Sequence, residues 1–256
     1  MPFAHRAGRG RLAPYVEALW LSEGYAPSHA RERVLPTGRM DLVIRLDDAH
    51  DAASFSGARS ASFVLDTSRP LNVVGVRFKA GGGAGFIGLP AGELHNLSVS
   101  LENLWRSDAS RLREVLLESR GPEEKLHALE QFLLSRLRGT RHCAVDYALT
   151  QFQQTAGASS VRQIVEHTGF SSRRFIATFR DQVGLTPKVF ARLCRFRRVV
   201  GRLQGRSEVD WADTAVECGY FDQAHLIRDF REFSGMSPAV YLRHRTGSVN
   251  HVRCPD

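Results

Sequence analysis

The sequence predicts an α+β N-terminal domain, small, β-rich and barrel-like with a helical hairpin, followed by an all-α C-terminal domain. The latter is read as two helix-turn-helix units joined by a linker helix. Three observations carry this. Alternating apolar runs are confined to the first eighty residues, and helical periodicity takes over from Leu101. A pattern of helix, glycine turn, helix, stop and restart then occurs twice between residues 160 and 241.

In chain order, residues 1–30 are weakly patterned. Leu12 to Leu21 suits a short helix or a strand, ahead of a loop at Gly24, Pro27 and Ser28. Arg31–Leu35, the turn Pro36-Thr37-Gly38 and Met40–Leu46 read as a β-hairpin. Asp47 to Gly57 reads as a polar loop of small residues, and Ser62–Leu65 and Val73–Phe78 as further strands. Gly83-x-Gly85-x-x-Gly88 satisfies the dinucleotide-binding pattern after a strand. Its context is wrong, because Leu89-Pro90 stops the helix whose N-terminus would hold a pyrophosphate. The glycine run is therefore expected to be a mobile turn packed on a neighbouring strand.

From Leu101 the period becomes helical. Leu101, Leu104, Trp105, Leu112, Val115 and Leu116 trace one amphipathic stretch, and Leu126, Leu129, Phe132, Leu133 and Leu137 a second. Gly121-Pro122 separates them, making a helical hairpin that either covers the β-domain core or offers a self-association face. Gly139-Thr140-Arg141 is the expected linker, and Cys143 to Phe152 the leading helix of the second half.

In that half, Val161, Ile164, Val165 and Thr168 lie at i, i+3, i+4 and i+7, behind a capping box Ser160-x-x-Gln163. Trp211, Thr214, Ala215 and Cys218 repeat the face. Gly169 and Gly219 supply the turns, since glycine takes positive φ without steric cost. Phe179, Arg180, Gly184 and Pro187 match Phe230, Arg231, Gly235 and Pro238 at a constant offset of 51, while the turn glycines differ by 50. The second copy thus has one extra residue at its turn. Asp222 is the expected N-cap of the second reading helix, and Ser237-Pro238 restarts the chain. This is an internal duplication.

Ala215-x-x-Cys218-Gly219-Tyr220-x-Asp222-x-x-His225-Leu226-x-Arg228-x-Phe230-Arg231, then Gly235-x-Ser237-Pro238-x-x-Tyr241, resembles the DNA-binding domain of the AraC/XylS family of bacterial transcriptional regulators. The resemblance covers roughly Val145 to Arg245. Thr214 stands where that family usually carries a bulky aliphatic, and Val165 where it usually has alanine. ERVLPTGRMDLVIRL and VVGVRFKAGGGAGFIGLPAGELHNLSVSLENL also resemble the uncharacterised N-terminal domain of one branch of the family. Expected boundaries are 1–139 for a regulatory, sensory or dimerisation domain and 145–245 for the DNA-binding domain, with units at about 160–184 and 210–235 and a tail at 246–256. The resemblance implies a sequence-specific regulator of transcription, with double-stranded DNA as partner. It favours activation by contact with RNA polymerase, and leaves open a homodimer and an unidentified small-molecule effector at the N-terminal domain.

Charge agrees with a phosphate-facing half. Residues 155–256 hold 16 Lys/Arg and 10 Asp/Glu, against 19 and 17 in residues 1–154, so most of the net +8 lies in the duplicated part. No apolar run approaches the ~20 residues that span a bilayer, and no secretory leader is recognisable, so a cytoplasmic location is expected. Cys143, Cys194, Cys218 and Cys254 form no C-x-x-C and read as reduced thiols, two of them in helix-turn-helix cores.

Burying Phe175 and Phe179 turns Arg173, Ala177 and Arg180 outward at 100° per residue. Burying Leu226, Phe230 and Phe233 turns out Ala224, Arg228 and Arg231. The N-terminal residues of a recognition helix go deepest into the major groove, so Ser172, Arg173, Gln223 and Ala224 are expected near base edges, with Arg228 one turn on and His225 also among the DNA-binding residues. The linker helix, Pro187 to Gln204, carries six basic residues and no acid; Arg195 and Arg198 are expected on phosphate. No catalytic constellation, metal-ligand spacing or cofactor motif is recognisable: His29, Asp41, His50, Glu93 and His95 sit at spacings that force no convergence. The chain is read as a non-enzyme. The rival reading is an enzyme whose N-terminal half catalyses while the helix-turn-helix half only localises it to DNA.

Overall fold

The computed structural model describes residues 3–47, 53–206 and 208–254. The strands are β1 Phe3–Ala7, β2 Val16–Tyr25, β3 Arg31–Val34, β4 Asp41–Arg45, β5 Ala53–Ser56, β6 Phe63–Asp66, β7 Leu71–Phe78, β8 Ser98–Ser100 and β9 His251–Arg253. Six form one antiparallel sheet in the order β1-β2-β7-β4-β5-β8; the others form a second, β6-β3-β9. Side chains alternate across a strand. Leu19, Leu21, Leu42, Ile44, Val74, Val76 and Phe78 therefore fill one face of the larger sheet and are buried. Trp20, Val43, Val73 and Arg77 stand on the other face, which looks toward β3 and β6 across a cavity.

Helices cover the filled face: α1 Ala84–Ile87, α2 Leu101–Trp105, α3 Ser107–Glu118 and α4 Pro122–Arg136. α4 lies on β1 and β2, and Arg6 of β1 reaches Glu123 and Glu130 on it. Trp105 donates from Nε1 to the Phe86 carbonyl at 2.9 Å, and the Arg136 guanidinium stacks over its ring. The helical hairpin thus has the covering role. Val115 and Leu117 remain exposed on its outer side.

Several local expectations are corrected. Arg31–Leu35 and Met40–Leu46 do not pair: β3 joins β6 and β9, while β4 joins β5 and β7. The Pro36-Thr37-Gly38 turn is a corner between sheets, because turn residues report a change of direction but not which strand is found beyond it. The stretch read as a polar loop contains β5, whose one large apolar residue, Phe55, is fully buried. Residues 48–52, His50 among them, lie outside the described residues. The single helix expected over 101–116 is two, separated by Arg106 at φ 53°. The glycine run is no mobile turn. Gly81, Gly82 and Gly83 are buried, and a Cβ at Gly83 would lie 2.6 Å from the Met40 sulfur.

The tail also has structure. β9 pairs with β3, and Asn250 accepts from the Leu35 amide at 2.8 Å. Under this seam Glu32, 1 % exposed, accepts from Tyr25 and bonds His29 and His251, each at 2.7 to 2.9 Å. Burial by itself would raise the Glu32 carboxyl, but the bonds from His251, Tyr25 and His29 outweigh it and hold it below the usual carboxylate range. The same burial, with the neighbouring carboxylate, pushes the Tyr25 hydroxyl up to about 12.

Glu32→Gln should therefore cost about 1–3 kcal/mol of unfolding free energy at neutral pH. A depressed carboxyl stabilises above its unfolded-state value and loses that contribution as pH falls through the folded one. The gap between wild type and variant should close below the ordinary carboxylate value of 4.5. Denaturant unfolding at pH 7 and pH 4 measures it; a gap that stays constant with pH would reject the seam as a charged one.

Candidate nucleic-acid interface

The C-terminal half comprises α5 Cys143–Gln154, α6 Val161–Thr168, α7 Ser172–Val183, α8 Pro187–Arg202, α9 Trp211–Glu217, α10 Gln223–Ser234 and α11 Pro238–His244. The turn after α6 passes through Gly169 at φ 70°, and that after α9 through Gly219 at φ 80°. Asp222 caps α10 by accepting from the His225 amide at 2.7 Å, and Ser171, Thr186 and Ser237 cap α7, α8 and α11 in the same way. Ser160 stands at the N-cap of α6 but its hydroxyl makes no cap bond, so the expected capping box is absent. Thr214 is buried, its hydroxyl donating to the Asp210 carbonyl at 2.6 Å, which lets a polar side chain occupy an aliphatic position. Of the four thiols, only Cys218 is buried in a helix-turn-helix core.

Each unit closes on a phenylalanine cluster, and α8 serves both. Phe190 meets Phe179 and Phe152 with ring centroids 5.7 and 5.8 Å away. Phe196 meets Phe230 and Phe233 at 5.1 and 5.3 Å, and Tyr241 packs on Phe230. Two 12-residue reading helices are thereby held on one 16-residue strut.

Ser172, Arg173 and Ala177 lie exposed along one side of α7, and Gln223, Ala224 and Arg228 along one side of α10. His225 is half-buried, edge-on to Tyr220 and 3.9 Å from Asp229. Arg180 and Arg231 are exposed too, but in the last turns of their helices, away from the N-terminal groups. Arg180 in addition lies along the N-terminal domain, where a Cβ at Gly92 would come within 2.8 Å of its side chain.

On α8 the arginines divide. Arg198 is exposed, as is Lys188. Arg195 is not available as expected: its Nη1 donates to the Gly157 carbonyl at 2.8 Å and its guanidinium stacks over Tyr220. Arg192 binds Asp229 at 2.7 Å and also Glu232, which holds the Glu232 carboxyl below its usual range and raises the guanidinium's own pKa. Arg202 pairs with Glu217, and burial pulls the Arg197 pKa down. Arg192 and Arg202 tie α8 to α10 and α9, and their charge is internal because the acids of those helices meet it.

Two features escaped the sequence reading. Phe221, immediately before the α10 cap, is 89 % exposed; an aromatic residue in a tight turn was the available signal. A basic groove of about 520 Å³ runs between the units, lined by Ser160, Lys188, Arg195, His225 and Arg228.

The N-terminal domain grips both reading helices at their C-terminal ends. Gly184 and Gly235, the duplicated stops, have φ 88° and 74°. A Cβ on Gly184 would lie 3.0 Å from Ala58, and one on Gly235 2.9 Å from Arg33. Ser62 donates its amide to the Phe233 carbonyl and its hydroxyl to the Ser234 carbonyl, both at 2.9 Å. One five-residue segment, 58–62, thus touches both units.

Two helix-turn-helix units on one strut, each with an exposed reading face, define a DNA-binding domain. Residues 142–244 match the family model described as a helix-turn-helix domain, and residues 7–100 match a domain of unknown function (DUF6597). The chain carries an AraC-type helix-turn-helix domain behind a DUF6597 domain, which supports a DNA-binding transcriptional regulator. No curated protein matches it. Among solved structures, a 1.65 Å structure of ToxT from Vibrio cholerae is 12% identical, with 94% of this chain and 98% of that chain covered and a TM-score of 0.41. A ToxT structure from Vibrio cholerae O395 is 9% identical, with coverage of 90% and 94% and a TM-score of 0.45. Identity at this level says nothing of shared ligands or partners. Among the described residues, no helix is long and apolar enough to cross a membrane and no group of His, Cys, Asp and Glu is arranged to hold a metal.

Removing one member of the Arg192–Asp229 pair strands a charge that is 3 % exposed. Arg192→Met should cost about 3 kcal/mol, and the double change Arg192→Met with Asp229→Leu should recover most of that. Thermal unfolding of the three variants tests it; an additive double variant would mean that the pair is not coupled.

Proposed function

We propose that the protein is a sequence-specific regulator, acting as an activator, that inserts α7 and α10 into successive major grooves about one helical turn (~34 Å) apart. The observation that supports this best is the pair of exposed faces, Ser172, Arg173 and Ala177 on one helix and Gln223, Ala224 and Arg228 on the other, both braced by α8. Arg173 and Arg228 read guanine through paired hydrogen bonds, Gln223 reads adenine, and the alanines touch thymine methyl groups. His225, turned toward Asp229, orients beside them. Lys188 and Arg198, the exposed cations of α8, hold phosphate, with the groove between the units seating the intervening backbone. Arg180 and Arg231 sit too far along their helices for base edges and serve the flanks.

The N-terminal domain is the sensory and dimerising part, taking a small-molecule effector, and RNA polymerase is the partner in activation. The protein works in the cytoplasm, without a cofactor and without catalysis. Its division from the DNA-binding half falls near Gly139, although the smaller sheet takes its third strand from residues 251–253.

Selection of bound DNA from a random pool, read by sequencing, should return one motif with two recognised ends roughly ten base pairs apart. Arg173→Ala and Arg228→Ala should each cost ~1–3 kcal/mol on the best site and relax base preference at their own end. Equal losses on selected and random DNA would place both on phosphate. Lys188→Ala with Arg198→Ala should instead weaken all sequences alike and flatten the salt dependence by ~1 per phosphate lost; an unchanged slope would remove α8 from the interface.

A further inference from the structure

The larger sheet leaves one face unfilled, and the smaller sheet stands over it. Between them lies a cavity of about 1040 Å³, ample for a drug-sized molecule. Its floor carries Val43, Val73 and Trp20 beside the polar Asp41, Arg45, Ser54 and Arg77, and its roof carries Phe63 and Leu65 of β6. The floor is flat where β7 has Gly75, since a Cβ there would lie 2.5 Å from the Trp20 ring. The Trp20 indole Nε1 is buried and has no hydrogen-bond partner.

The charges lining the cavity are mostly settled among themselves. Glu17 pairs with Arg39, Asp41 with Arg77, and Asp66 accepts from the Ser68 amide. Arg59 differs. It donates only to neutral acceptors, the Asn96 carbonyl at 3.1 Å and the Ser98 hydroxyl at 2.8 Å, and among the described residues no carboxylate forms an ion pair with it. Its Nε has no partner, burial depresses its pKa, and its guanidinium lies 4.4 Å from the Phe63 ring centroid. A half-buried cation with a vacant donor over an aromatic face, balanced only at longer range by Asp41, suits a flat anion, which supplies a direct charge and acceptor.

We propose that this cavity binds a flat, aromatic-bodied organic anion, its body between Trp20 and Phe63 and its anionic group on Arg59. Arg59 belongs to the segment 58–62 that touches the ends of both reading helices, and the occupied site stiffens that bridge. A second wall, with Ser248, Asn250 and His251, comes from the tail that follows α11. The inference rests on the sensory reading of the N-terminal domain and not on the assignment of DNA contacts, so it is tested without DNA.

Calorimetry of the full chain with 2-naphthoate should show saturable binding, with 2-naphthamide and decanoate each at least about tenfold weaker, the scale of one charge-assisted contact. No heat with any of the three overturns the site. An equal amide overturns the anion, and an equal or tighter decanoate overturns the flat body. Arg59→Gln should weaken 2-naphthoate by about tenfold or more; unchanged affinity removes Arg59. Should that variant fail to fold, Val43→Trp, which fills the floor, should abolish binding, and retained binding overturns the placement. In hydrogen exchange, bound 2-naphthoate should slow the peptide 58–63, where the Ser62 amide bonds Phe233. Unchanged exchange there overturns the bridge.

Discussion

The spacing and tilt of the two reading helices depend on how their C-terminal ends are stopped and held. Helices of 12 residues are marginal alone in water, so packing must fix them. Phe190 and Phe196 of α8 do this from one side. From the other, Gly184 and Gly235 stop the helices in the left-handed region and let neighbouring chain approach within a methyl group's reach. A side chain at either position would be strained and would also press on Ala58 or Arg33. Duplication produced the same stop twice, and a single segment of the N-terminal domain seats against both.

Charge works in two ways in this half. Arg192, Arg195 and Arg202 are long side chains whose heads meet carboxylates or carbonyls brought close only by folding. Their partners hold α8 against α9, α10 and the loop before α6. Cations left facing solvent include Arg173, Lys188, Arg198 and Arg228. Buried pairs set the orientation of α8 against its neighbours.

The tail gives the molecule a closed circuit. The chain leaves the second unit through α11, and its last described strand adds to β3 over a buried, fully bonded Glu32. β3 thereby becomes the central strand of the smaller sheet. Since β6 of that sheet follows directly on segment 58–62, the cavity, the tail and the ends of the reading helices share one set of backbone connections.

The helices of the C-terminal half, their order, their glycine turns and the caps at Asp222 and Ser237 were legible in the chain, and so was the exposed side of each reading helix. These depend on contacts three or four residues apart, and on apolar periodicity that survives in any context. The strands at Val73–Phe78 and Ser62–Leu65 were legible for the same reason, each close to its observed bounds. β1, β5, β8 and β9 were not: each is five residues or fewer, and short polar strands are made by their neighbours. Sheet pairing, the internal role of Arg195, the burial of the glycine run and the docking of 58–62 on two helix ends are agreements between residues tens to hundreds of positions apart. Local sequence determined which pieces exist and which way they face; only the tertiary structure decided their partners, because pairing energy belongs to both members and neither carries a mark of the other.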